Sequence, residues 1–381
     1  MLESYLEGAS SQLIARAIAL KGAYPRPPKQ EFRALSENCT RVLDQIIQEL
    51  REGLNDLEKG EEKCQAVLLE FRRLSSELDR VENAAIAAMS RGNKDEAAVN
   101  ELLYQITTEI HYPINPPTVS LLSQNYFYIN TDFNLLCIPL IELHFLLHLP
   151  DIYHEICHPL FLAEDDPNIK PWKSAFQRGQ KAVKAHFTKD LVALRNSRTS
   201  DSLVIGVDVA YKSWRARWME EFFCDLFGVF CVGPAYAWAH LHLHAERGRD
   251  PYRLPRGPSN HPADAPRMVV MLEALTLLNE KKVAALIESK WNELLNITGQ
   301  KQPGDFHRYY PLPILTTCVE EAFEGFTAMQ CKAWPGAEED KVRRTLNVAW
   351  ERFWSAPASY PAWEKESAEA LIPTKPQAAQ I

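Results

Sequence analysis

Residues 150–161 read PDIYHEICHPLF. Pro150 and Asp151 suit a helix start, and Ile152, Ile156, Leu160 and Phe161 supply apolar packing around a buried helix. Within it, His154, Glu155 and His158 form an HExxH pattern. On a helix, residues four apart are separated by about 40° around the axis, so both imidazoles face one way and can share a metal ion. Glu155 lies one step round, where a carboxylate reaches a metal-held water without ligating the metal, as a general base must. Cys157 is a competing ligand. It sits about 60° from His154 and about 100° from His158, which reads as a core position.

A catalytic zinc generally keeps three protein ligands and one open position, so a third ligand must come from elsewhere. Residues 218–228, WMEEFFCDLFG, hold Glu221 and Asp225 four apart on one helix face, with strongly apolar sequence following. Burying two carboxylates there is costly without compensation. A metal held by Glu221, with Asp225 hydrogen-bonded to the outer nitrogen of a ligand histidine, supplies it. Glu220 is the neighbouring alternative, and the face shared with Asp225 prefers Glu221. A plain surface helix would account for Glu220 and Glu221 but poorly for Asp225.

HEICH followed by Glu221 and Asp225 resembles the gluzincin pattern HExxH…ExxxD, and most of all the group of CAAX prenyl endopeptidases and their bacterial relatives. Gly228 matches that group's close-packing glycine, and His261, Pro262 and Arg267 in SNHPADAPR (259–267) match its HPxxxxR element. The resemblance spans Asp151 to Arg267 and departs at Cys224, where the family usually has alanine. It implies a zincin-like metallopeptidase body holding one zinc per chain through His154, His158 and Glu221. Glu155 would be the base, Asp225 the carboxylate behind a ligand histidine, and His261 or Arg267 the partner of the oxyanion. It also implies a polypeptide substrate laid as an extra strand on a sheet edge, here near Tyr126–Ile138. His261 could alternatively ligate the zinc at rest and act as a latch. The chain lacks the family's membrane helices, which suggests a divergent soluble relative. Two rivals are a zinc hydrolase of a non-peptide amide and a helical interaction protein with a structural or vestigial metal site. The intact Glu155 argues against the second.

Working outward, residues 1–22 read as a helix stopped by Gly22 and prolines. From Cys39 to Ala85, apolar residues recur in alternating steps of four and three, broken only by Gly53 and Gly60. That period suits a coiled coil or a long helical hairpin bent between the two glycines. It could pack on its own chain or offer a surface for a regulatory partner or self-association. Ser90–Asp95 punctuates, and a helix follows over 96–110. After PINPP (113–117), residues 126–130 and 134–138 read as a small sheet, the stretch after Pro139 as helical to Pro150, and helices over 172–196, 210–230, 264–276, 281–296, 315–330 and 338–354. The expected organisation is α+β and helix-rich: a helical N-terminal extension over 1–110, the metallopeptidase domain over 111–365 and a loose tail over 366–381.

The 381 residues are 46% hydrophobic, enough for a sizeable core, and the net charge of −8 disfavours nucleic acid as the main partner. Eight cysteines without a CxxC pair read as reduced, buried thiols in a cytoplasmic protein. The most apolar window, Phe222–Leu241, contains Asp225, Gly228, Gly233 and Pro234, so a buried helix followed by a turn is expected and no membrane span. His144 and His148 read as core or helix-end histidines. His240, His242 and His244 are two apart and would share a face only on a strand.

Overall fold

The long seam of the N-terminal region turns inward on its own chain. This is seen in a computed structural model, which describes residues 2–22, 33–57, 63–86, 96–121, 123, 126–131, 134–162, 166–197 and 200–372. Helices α1 (Leu2–Gly22), α2 (Arg33–Leu57) and α3 (Cys64–Arg80) pack on one another, and α3 runs on through a wider turn to Ile86. Cys39, Leu43, Ile46, Leu50 and Leu57 on α2, and Cys64, Val67, Phe71, Leu74 and Leu78 on α3, are all buried. The pair is antiparallel, with Glu49 facing Arg73, and a methyl added at Gly53 would sit 3.6 Å from Val67. The bend expected between Gly53 and Gly60 and the punctuation at Ser90–Asp95 involve residues 58–62 and 87–95, outside the described residues. One buried cluster runs from Leu2 to Ile372, so these helices share the core of the body.

Helix α4 (Glu96–Glu109) leads to three short strands, β1 (Thr118–Ser120), β2 (Tyr128–Asn130) and β3 (Leu135–Cys137), in the order β1-β3-β2. β3 is parallel to β1 and antiparallel to β2, with Ile129 opposite Leu136. Of the stretch expected to offer a sheet edge, β2 lies at one and β3 does not. Residues 139–150 are not helical beyond a single 3₁₀ turn at Glu142–His144. Leu143 and Leu146 through Leu149 are buried whatever the local conformation, so periodicity could not decide it. Distant carboxylates take over the backbone donors there: Ile141 N–H donates to Glu82 Oε1, and Leu146 N–H to Glu364 Oε1.

The remaining elements are helices joined by loops: α5 (Asp151–Glu155), α6 (Pro159–Leu162), α7 (Lys170–Asn196), α8 (Asp201–Ser213), α9 (Met219–Val232), α10 (Pro234–Arg247), α11 (Asp264–Leu277), α12 (Lys281–Ile297), α13 (Phe306–Tyr309), α14 (Leu312–Ala328), α15 (Lys341–Ser355) and α16 (Tyr360–Leu371). The expected turn at Gly233 and Pro234 is present, and a further helix follows it. Gly233 has φ +67°, and α15 pins the corner. Arg343 donates to Cys231 O, while Asn347 donates to Val232 O and accepts from Ala235 N–H. The tail expected over 366–381 is helical in its first part, and residues 373–381 lie outside the described residues. α16 runs to Leu371 with Glu364 and Ala368 buried, because Tyr360 and Leu146 N–H both hydrogen-bond Glu364. All eight cysteines are buried and outside any disulfide. Among the described residues, no helix is long and apolar enough to cross a membrane.

Candidate metal centre

The HExxH segment is not one continuous helix. α5 ends at Glu155, because Pro159 has no N–H to bond back to Glu155 and its ring crowds that carbonyl. The chain tightens, with Cys157 N–H bonded to His154 O and His158 N–H to Glu155 O. Both imidazoles still meet, with ring centroids 5.2 Å apart.

Opposite them, α8 and α9 form one nearly continuous rod interrupted by a π-helical turn at Trp214–Trp218. Such bulges re-aim the residues that follow, and here those are Glu220 and Glu221. Glu221 is buried, with one carboxylate oxygen 3.5 Å from His154 Nε2 and the other 4.0 Å from His158 Nε2. Ligands bonded at about 2.0–2.1 Å around a tetrahedral ion lie about 3.3 Å apart; each histidine is near that distance from Glu221, although the group whose single ligand atoms all lie within 4.8 Å of one another pairs these histidines with Cys224. Burial alone would raise the Glu221 carboxyl, but His154 and His261 hold it well below the usual carboxylate range.

The outer nitrogens are also engaged. His154 Nδ1 lies 3.0 Å from Asp225 Oδ1, and His158 Nδ1 lies 2.9 Å from Glu220 Oε1. Donation from Nδ1–H to these carboxylates leaves each Nε2 lone pair aimed at the centre. Asp225 is fully buried and accepts from Arg267 Nε at 2.7 Å and Nη2 at 2.5 Å, and from Tyr236 at 2.6 Å. Burial works against its ionisation, but Arg267 outweighs it and keeps the carboxyl well below its ordinary range. Glu155 stands beside the histidines, and burial raises its carboxyl above the usual range against their pull.

The expected residues thus come together, with one change of part. Arg267 spends its guanidinium on Asp225 with its side chain only 14% exposed, so it positions that carboxylate and does not face an oxyanion. His261 lies on the open side, its side chain 62% exposed and its Nδ1 3.0 Å from Glu221 Oε2. Glu220, considered only as a rival ligand, is the partner of His158, and Arg217 reaches the same Glu220 oxygen. Sequence reasoning missed Tyr236. Its signal was Gly228, where a β-carbon would stand 3.0–3.1 Å from the Tyr236 ring. Gly228→Ala requires that ring to give by a few tenths of an ångström against Asp225; under the zinc-binding reading proposed below, we expect it to weaken zinc affinity by about 10–100-fold, measurable by competitive titration.

A thiol competes for the third position. Single ligand atoms of His154, His158 and Cys224 all lie within 4.8 Å of one another. Cys224 Sγ is 3.5 Å from His158 Nδ1, the nitrogen that faces Glu220, and burial pushes its thiol well above the ordinary range. The thiol faces the outer nitrogen already engaged by Glu220, whereas the Glu221 carboxylate faces both inner nitrogens. Glu221 is the better candidate.

No family model, curated protein or solved structure matches this chain.

Proposed function

We propose that the chain is a zinc-dependent peptidase whose metal is held by His154, His158 and Glu221. One observation carries this reading: both Nε2 atoms converge on one buried carboxylate while both Nδ1 atoms are held by Asp225 and Glu220. That donor set, with outer hydrogen bonds fixing both tautomers, suits zinc.

Bound zinc would supply Lewis acidity, polarising a carbonyl and acidifying water. Glu155 is set to take the proton of the attacking water and pass it to the leaving amine, and its raised pKa brings it nearer that task. His261, exposed beside Glu221, is the imidazole available to a developing oxyanion. Asp225, gripped by Arg267 and Tyr236, keeps His154 oriented through the cycle. The same chemistry would cleave any amide. A peptide is favoured by the HExxH…ExxxD…HPxxxxR resemblance and by the β2 edge, at which an extended chain could add.

The test is metal content by elemental analysis, read beside hydrolysis of a peptide library. His158→Ala should lose one zinc per chain and all hydrolysis. Unchanged zinc in that variant would sink the ligand assignment.

A further inference from the structure

Behind the HExxH segment lies a second convergence of imidazoles. His148 and His242 are buried, 1% and 0% exposed, and Glu246 is 8% exposed. Single ligand atoms of the three all lie within 4.8 Å of one another. His242 Nε2 is 3.4 Å and His148 Nε2 is 3.8 Å from the same oxygen, Glu246 Oε1. Neither Nε2 makes a hydrogen bond, although both are shut away from solvent. Leaving two such nitrogens unsatisfied is costly, and native interiors rarely tolerate it without an unseen partner.

The outer nitrogens are engaged here too, one by a carboxylate and one by a hydroxyl that can accept the Nδ1 proton. His148 Nδ1 is 2.5 Å from Glu142 Oε2, and His242 Nδ1 is 2.7 Å from the Tyr5 hydroxyl. The ring centroids are 5.1 Å apart, against 5.2 Å for His154 and His158. Arg16 on α1 reaches the same cluster, 2.5 Å from Glu142 and 3.2 Å from Glu82.

We infer that His148, His242 and Glu246 form a second, buried zinc site, structural in role and separate from the His154–His158–Glu221 centre. Full burial leaves no room for a substrate. Its place in the fold explains what it would do. His148 is six residues before His154, and His242 is six residues after Tyr236, so the second ion ties together the two segments that meet at the first centre. Tyr5 and Arg16 bring α1 to the same knot. The inference does not rest on the proposed hydrolysis.

Zinc stoichiometry of the full-length protein tests it. Wild type should hold two zinc ions per chain, and His242→Ala and Glu246→Gln should each bind one fewer. A His154→Ala/His158→Ala protein should keep one, and chelating that ion should lower Tm by on the order of 5–10 °C. The double variant also protects the test against a misfolded His242→Ala. Retention of one zinc there would support the second site even if the peptidase reading failed. A wild type with one zinc that survives His242→Ala and Glu246→Gln would overturn it. So would a Tm of the double variant unmoved by chelation, leaving a metal-free cluster with His148 protonated between Glu142 and Glu246.

Discussion

Glu155→Gln should fold, bind zinc like wild type and lose hydrolysis by roughly 10²–10⁴-fold, the range a positioned general base contributes. The carboxamide is nearly isosteric and Glu155 makes neither of the hydrogen bonds that hold His154 Nδ1 and His158 Nδ1, so the ligands should stay in place. Only the ability to accept the water's proton is removed. Activity on a cleaved peptide, measured together with metal content, gives the answer. A zinc-replete Glu155→Gln protein with full activity would rule out this mechanism.

Asp225→Ala should produce the largest loss of stability at the centre. Arg267 places two nitrogens on this carboxylate, and Tyr236 and His154 Nδ1 meet it as well. Removing it leaves a guanidinium with 14% of its side chain exposed and no counter-charge, a change worth about 3–5 kcal/mol when one partner of a buried pair is deleted. His154 would lose its orienting partner at the same time. Denaturant unfolding and zinc titration should therefore both respond. Asp225→Asn, which still accepts hydrogen bonds but carries no charge, should fall between the two. A folded Asp225→Ala protein with unchanged stability and zinc affinity would show that the Arg267–Asp225 pair does not organise the site.

Much of this centre was legible in the sequence because its signals are local. The four-residue spacing of Glu221 with Asp225 places that pair on one face of α9, and the same spacing brings His154 and His158 together although the helix breaks after Glu155. Aspartate amid EFFCDLFG required compensation, and Arg267, Tyr236 and His154 supply it from other segments. The seam from Cys39 to Ala85 announced long helices because its period persists over many turns. The sequence could not tell a coiled-coil stalk from a hairpin folded on its own chain, since both bury the same face.

What the tertiary structure decided involves side chains that meet across large separations. Arg267 carried a motif position, but whether its guanidinium faced substrate or Asp225 depended on how α11 packs against α9. Tyr236 entered the centre because the Gly233 corner folds α10 back and Gly228 leaves room for its ring. His242 looked unpromising among histidines two apart, a spacing that scatters side chains round a helix. One of them needs only a partner from another segment, and His148 provides it from a stretch whose apolar run gave no usable period. Sequence determines which face of each helix is apolar and where chemistry-bearing pairs are spaced to cooperate, because those follow from backbone geometry over a few residues. Which buried charges meet is set by helix packing, where each unsatisfied donor or acceptor must find a partner from elsewhere in the chain.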